Sequence, residues 1–283
     1  MSLSTDRAVG VWLLVCCFLV FAMVVLGGVT RLTGSGLSMV RWAPLSGAIP
    51  PITAAAWEAE FNHYQQSPEF QKVNHQMTVN EFKNIFYVEY FHRLLGRAIG
   101  LVFLIPFLVF LWRGRIRGAL IPKLSLMFVL GGLQGLLGWY MVKSGLVDVP
   151  RVSPYRLTAH LFVAVAIYAY LFWTALGLLS ERSRYNTVSS LWVGAVGITA
   201  MIVVTILSGG FVAGLKAGHA FNTFPLMGGQ WIPPGYGIAE PFWLNFFETI
   251  PAVQFNHRWL AITTFCLLYT SPSPRDATLS RMP

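Results

Sequence analysis

The sequence predicts an all-α integral membrane protein: two parallel pseudo-repeats of four-helix bundles, the second incomplete, with about six transmembrane helices. Three observations carry that expectation. Of 283 residues, 55% are hydrophobic and 11% charged, where a soluble domain carries roughly 25% charged residues. Mean hydropathy is +0.59, and the apolar residues fall in runs near the roughly 20 residues that a helix needs to cross a bilayer. A pattern of glycines, a proline pair and a His-Arg dipeptide then occurs twice along the chain. The 26 glycines and 14% aromatic content exclude a disordered or collagen-like chain.

The first run covers about 9–29. Met1 to Val9 holds one acid, one base and no small-residue cleavage site, so the run reads as a retained first span rather than a signal peptide. The segment from Thr30 to Lys83 is long and mixed in charge. Within it Pro50-Pro51 stops one stretch, and Thr53 suits the N-cap of a short helix through Tyr64. Trp57, Phe61 and Tyr64 share one face of that helix. The face fits the membrane interface, a lid over the spans, or a loop packing on itself.

Five more apolar runs follow at about 84–112, 119–142, 156–179, 189–213 and 250–269. As helices they satisfy their backbone hydrogen bonds internally. Arg113, Arg115 and Arg117 crowd the short segment after the second run, and Arg182 and Arg184 the one after the fourth. That density places the N-terminus in the cytoplasm and the 30–83 segment outside. It also accounts for much of the +9 net charge, so no nucleic-acid partner is implied. Cys16, Cys17 and Cys266 all lie in apolar runs and read as small buried packing residues, not as a disulfide framework or a Cys-rich metal site.

The repeat pairs Gly27, Gly28, Gly36 and Pro50-Pro51 with Gly209, Gly210, Gly218 and Pro233-Pro234. His92-Arg93 follows the first proline pair and His257-Arg258 the second. The copies begin on the first and fifth spans and so run in the same direction, a parallel duplication.

Of six histidines, His63, His75 and His219 lie in polar segments, whereas His92, His160 and His257 lie in apolar runs. An ionisable group at membrane depth is costly and marks a functional candidate; the plain alternative is a hydrogen-bonded packing residue. Counted from the outer ends of their runs, the three lie within roughly 6–12 Å of the surface and share one layer. Zinc would want three or four ligands, often including thiolate or carboxylate. Haem needs one or two axial imidazoles and an apolar slot, and His92 and His160, on alternate spans, suit it. By the repeat, a partner for His257 belongs on an eighth span, which has no counterpart here.

Glu89 precedes His92 by three residues and so shares its helix face. It can relay protons or orient the imidazole; the alternative is a solvated residue at the bilayer edge. The second copy has Gln254 in its place, which cannot exchange protons. Arg93, Arg97 and Arg258 suit haem propionates, or simply snorkel to the interface.

These residues lie in runs that together resemble the haem A synthase family: Gly27-Gly-Val-Thr-Arg-Leu-Thr-Gly-Ser-Gly-Leu-Ser38, Glu89-Tyr-Phe-His-Arg-Leu-Leu-Gly-Arg97, Gln134-Gly-Leu-Leu-Gly-Trp-Tyr-Met-Val-Lys-Ser-Gly145, Tyr155-Arg-Leu-Thr-Ala-His160 and Asn222-Thr-Phe-Pro-Leu-Met227. The likeness covers about 7–268 and is to the proteobacterial and mitochondrial branch without loop cysteines. It implies an eight-helix protein that oxidises a methyl group of haem O, by successive hydroxylations, to the formyl group of haem A. His92 and His160 match the first-half histidine pair, Glu89 the acid implicated in catalysis, and His257 one of two ligands of a haem b in the second half. The resemblance also implies a haem O-producing farnesyltransferase as neighbour, an electron donor such as a ferredoxin, membrane lipid, and a homo-oligomer as an open question. It places the chain in a bacterial inner membrane, with the mitochondrial inner membrane as alternative.

On this reading, residues 1–180 form the first four-helix unit with the haem O site, and 181–269 an incomplete second unit with the haem b site. After Tyr269 the sequence turns polar, with prolines at 272 and 274 that break a helix. The expectation is that 270–283 is a non-native tail and that the family's last two spans are missing. A bis-histidine cytochrome b that only relays electrons is the competing function, and a transporter a more distant one.

Overall fold

A computed structural model describes residues 3–43, 46–180 and 189–271. Among them regular structure is helical, with one isolated β-bridge between Met227 and Gln230. The chain divides into two compact units, Met1–Arg182 and Ser183–Pro283.

The first unit holds α1 (Leu3–Leu32), α2 (Ala54–Gln65), α3 (Pro68–Lys72), α4 (Val79–Trp112), α5 (Leu120–Lys143) and α6 (Pro154–Leu179). Each expected run in this unit becomes a helix. α1 packs on α4 and α6, and α5 on the same two helices. Between them Leu13, Cys16, Cys17, Phe103, Phe107, Leu124 and Leu171 form a core, and the Trp12 indole donates to the Val102 carbonyl at 2.9 Å. Phe18, Phe21, Leu101, Ile105 and Leu133 point outward. Helices apolar on both faces are what a lipid surround requires.

α4 begins five residues before the apolar run at 84 because Thr78 and Glu81 close a capping box: the Thr78 N–H donates to the Glu81 carboxylate at 2.8 Å and the Glu81 N–H to the Thr78 hydroxyl at 3.4 Å. Its first turns are covered by protein. Phe82, Phe86 and Tyr90 pack with Trp57, Phe61 and Tyr64 of α2, with ring centroids 5.0 Å apart for both Trp57–Phe86 and Tyr64–Phe82. The α2 face therefore packs on the start of α4 rather than on the membrane interface. Thr53 is the N-cap as expected, accepting from the Ala56 N–H at 3.2 Å. The fully buried Tyr64 hydroxyl donates to Glu69 at 3.1 Å and accepts from Asn74 at 2.7 Å; burial pushes this phenol above its ordinary range. Since α4 starts at Val79, His92 lies 13 residues along it (92 − 79), farther than the span count implied.

The second unit holds α7 (Ser189–Leu215), α8 (Asn245–Glu248) and α9 (Ile250–Thr270). α7 and α9 pack along one another, joined by a Thr205–Thr264 hydroxyl bond of 2.7 Å. The segment between them turns on the buried Asn245, whose side chain accepts from the Ala239 N–H at 3.1 Å and donates to the Ala239 and Phe242 carbonyls at 3.0 and 2.8 Å.

Six spans were expected. Among the described residues five helices are long and apolar enough to cross a membrane: α1 from Asp6, α4, α5, α6, and α7 from Trp192. α9 forms over the sixth run but falls short in apolar density, because Gln254, Asn256, His257 and Arg258 occupy its first half. One packing expectation is also corrected. Cys16 and Cys17 are core residues, but Cys266 is exposed on α9, as an apolar run does not separate inward from outward positions. Arg182, Arg184 and residues 272–283 lie outside the described residues.

Candidate functional site

In the first unit α1 and α5 finish, and α4 and α6 begin, at one end of the bundle. There Lys72 donates to the Asp148 carbonyl at 2.6 Å, joining the two connecting segments. Both histidines of this unit lie below that end, each held against a glycine. A methyl group at Gly27 of α1 would stand 3.3 Å from His92 Nε2, and one at Gly138 of α5 would stand 3.0 Å from His160 Cε1. The glycines let the imidazoles approach the helix backbone closely, the use that offsets a glycine's cost inside a helix, about 1 kcal/mol. The two rings lie near enough for the charge of one to bear on the other. No hydrogen bond engages His160 Nδ1, a buried atom, and the Oε1 of Gln134, whose amide donates to the His160 carbonyl at 2.8 Å, is likewise without a partner among the described residues. Buried polar atoms without partners beside an imidazole are groups that a ligand could satisfy.

Around Glu89 the arrangement is different. The residue is only 3% exposed, so it is not a solvated group at the bilayer edge. Its Oε2 accepts from the Ser38 hydroxyl at 2.7 Å and the Met39 N–H at 2.8 Å. Its Oε1 accepts from Arg93 at 2.6 and 3.1 Å. Arg93 also donates to the Met39 carbonyl at 2.9 Å and the Arg41 carbonyl at 3.4 Å. The pair clasps the segment after α1 onto α4. Arg97 adds a bond to the Ala43 carbonyl at 2.9 Å.

The second unit repeats the clasp. Gln254 accepts from the Phe221 N–H at 3.1 Å and donates to the Phe221 carbonyl at 2.9 Å, while Arg258 donates to the Thr223 and Phe221 carbonyls at 2.8 and 3.2 Å. Gly27, Met39 and Arg41 correspond to Gly209, Phe221 and Thr223 at a constant offset of 182 (209 − 27, 221 − 39, 223 − 41), and Glu89, His92 and Arg93 correspond to Gln254, His257 and Arg258 at an offset of 165 (254 − 89, 257 − 92, 258 − 93). A methyl group at Gly209 would stand 3.1 Å from His257 Cε1, as at the corresponding Gly27. The three guanidinium groups assigned to propionates all turn to loop carbonyls. Ser38, Met39, Gly138 and Ser208 are site residues that motif reading did not single out; the 182-residue offset was the available signal for the backbone partners.

His257 has a fixed tautomer. Ser208 Oγ donates its one proton to the Thr205 carbonyl at 2.8 Å and so accepts from His257 Nδ1, also at 2.8 Å. The lone pair is then on Nε2, ready to bind a metal. His63, His75 and His219 have no part in these contacts. No group of three or more His, Cys, Asp or Glu side chains converges on one point among the described residues.

The donor sets suit haem. In the first unit a cavity of about 290 Å³ starts one helix turn from His92 on α4 and from Gly138 on α5, and is lined by Gly96 and Gly100 of α4 and Gly131, Gly132 and Gly135 of α5. A methyl group at Gly100, Gly131, Gly132 or Gly135 would meet nothing within 4 Å, which leaves space for a flat apolar ligand. In the second unit the tie to Ser208 leaves the His257 Nε2 available to a ligand.

Comparison with known proteins matches the profile of COX15-CtaA, cytochrome oxidase assembly protein, to residues 10–273. The Heme A synthase of Nitrosospira multiformis is 53% identical over 268 residues, spanning 94% of this chain and 75% of the relative. That of Nitrosomonas eutropha is 53% identical over 268 residues, with 93% and 74% covered. The mouse protein Heme A synthase COX15 is 47% identical over 272 residues, with 93% and 66% covered. No solved structure matches.

Proposed function

The chain belongs to the COX15-CtaA family of cytochrome oxidase assembly proteins, and on that premise we propose that it is a haem A synthase, a multi-pass membrane enzyme with haem O as substrate and haem A as product. We further propose an oxidoreductase that converts a methyl group of haem O to a formyl group by successive hydroxylations. The observation that carries the assignment of the site is the pair of imidazoles, His92 and His160, each seated against a glycine, with an apolar cavity starting one helix turn away.

In this reading His92 of α4 and His160 of α6 would hold the iron of haem O. Glu89, one helix turn from His92, is the acid-base group, kept in place by Ser38, the Met39 N–H and Arg93. Arg93, Arg97 and Arg258 lie beside the propionate edges of the haems. His257 would hold a haem b, which when bound would supply electron transfer. Residues 1–180 would then form the substrate unit and 181–269 the haem b unit. Haem O comes from the farnesyltransferase that makes it, and electrons from a donor such as a ferredoxin. The chain sits in a bacterial inner membrane with its N-terminus in the cytoplasm, and self-association is compatible with the site.

Haem extraction after expression with a haem O source tests the function. Wild-type protein is expected to yield haem A or its hydroxylated precursor, and His92→Ala and His160→Ala neither. Unmodified haem O and haem b alone from the wild type would overturn the proposal.

A further inference from the structure

Along α4 and α5, the positions of His92 and of Gly138, which His160 contacts, separate the linings of two cavities of different character. On the side of the connecting segments, a cavity of about 330 Å³ is lined by Arg41, Arg93, Lys143, Trp42 and Trp139 among others. Arg41 pairs with Glu60 and Arg93 with Glu89. Lys143 has no carboxylate partner among the described residues; its ammonium lies 5.2 Å from the centre of the Trp139 ring. This cavity therefore holds one cation more than its paired acids neutralise. On the other side lies the apolar, glycine-lined cavity already described, whose lining includes Phe103, Met127 and Leu171.

Chain order keeps the two apart. Along α5 the apolar lining runs from Met127 to Gly135, then comes Gly138 against His160, then Trp139 and Lys143 of the cationic lining. Along α4, Arg93 follows His92 and the apolar lining starts one turn farther on, at Gly96. From Gly135 back to Met127 the apolar slot follows about 12 Å of helix.

We infer that the substrate haem is bound in one orientation, with its propionates in the Arg41–Arg93–Lys143 cavity and its isoprenoid tail in the glycine-lined cavity, so that Gly131 and Gly135 select for a tailed haem. This rests on the reading of His92 and His160 as the ligands of haem O. A haem has one anionic edge, and in haem O a long apolar chain projects from the macrocycle. Burying that chain in an apolar slot is favourable in proportion to its buried area, and carboxylates gain from fixed cations at the rim of a low-dielectric site. The reverse orientation would bring carboxylates against Phe103, Met127 and Leu171, where nothing satisfies them.

The test is spectroscopic titration of the full chain in detergent, in a His257→Ala background that leaves the first-unit site to be read. The probes are haem O, haem b (which lacks the tail), and haem b with both propionates esterified. With the glycines intact, haem O is expected to bind about tenfold more tightly than haem b, and the ester about tenfold more weakly than haem b. Gly131→Leu with Gly135→Leu should remove the preference for haem O and leave haem b within about twofold. Lys143→Gln should shrink the difference between haem b and its ester and leave the tail preference intact. Equal loss of haem O and haem b on filling the slot, or a tail preference that survives it, overturns the orientation. The ester comparison on the otherwise unaltered site decides the propionate half even where the leucine variants fail to fold. A protein that binds these haems, but in a way insensitive to His92→Ala and His160→Ala, would overturn the site reading itself.

Discussion

The two clasps do the same mechanical work with different chemistry. In the second unit the Gln254 amide matches one peptide unit, accepting from the Phe221 N–H and donating to its carbonyl. In the first, the Glu89 carboxylate can only accept. The Met39 N–H still goes to it, but the Met39 carbonyl is left to Arg93, and the second carboxylate oxygen turns to Arg93 as well. An uncharged side chain therefore suffices to hold such a segment on its helix. The charge at position 89 is more than the architecture needs, and it occurs in the unit that carries two histidines on its long helices, each seated against a glycine.

The largest expected effect separates the two arginines. Arg93→Ala leaves a buried carboxylate without its counter-charge, a loss of about 3–5 kcal/mol. Arg258→Ala removes bonds to two carbonyls while Gln254 keeps both of its own, about 1.5–3 kcal/mol. Thermal unfolding in detergent measures both. Combining Arg93→Ala with Glu89→Gln should recover most of the first loss, because the neutral amide no longer needs an ion pair. Equal losses for the two arginines, with no recovery in the double variant, would mean that the carboxylate adds nothing to the clasp.

Glu89→Gln alone sharpens the comparison further. It installs in the first unit the side chain that already works in the second, so folding and haem binding should be retained, with stability changed by about 1 kcal/mol. Haem A output should fall about a hundredfold, within the usual range for removing a general acid or base. Gln254→Glu should leave output unchanged. Unaltered haem A formation by Glu89→Gln would assign the residue to architecture alone.

The runs of apolar residues made the long helices legible, because a helix in lipid needs little more than length and hydrophobicity. They did not reveal where α4 starts. Its first turns are buried by Trp57, Phe61 and Tyr64 instead of lipid, and the signal there was the Thr78–Glu81 capping box. They also did not distinguish Cys266, which points outward, from Cys16 and Cys17, which do not. At the site, the histidines and Glu89 stand out because ionisable groups are rare in apolar runs. Their partners do not, since half of them are backbone atoms: the N–H and carbonyl of Met39, the carbonyls of Arg41 and Thr223. A backbone atom has no residue type to read, and only the constant 182-residue offset brings Met39 and Phe221 into register. Gly138 had a faint signal of its own, as a glycine inside a helix asks for a packing reason, and His160 is that reason.

The smallest expected effect concerns how the two units present their imidazoles. Ser208 holds the Nδ1 proton of His257 and so commits Nε2 to a ligand, whereas no hydrogen bond among the described residues engages Nδ1 of His160. A preset ring suits a resident cofactor, since outer hydrogen bonds raise ligand basicity and fix orientation. A ring without that tie suits a substrate that must bind as haem O and leave as haem A, because a ligand held too firmly by the starting material slows release of the product. Ser208→Ala should therefore weaken haem b binding in the second unit about tenfold and shift its spectrum, with haem O binding at His92 and His160 unchanged. Titration of the two haems against wild type and variant reads this directly. If haem b affinity does not move, the serine bond is incidental and the contrast between a resident and a passing haem does not lie in this hydrogen bond.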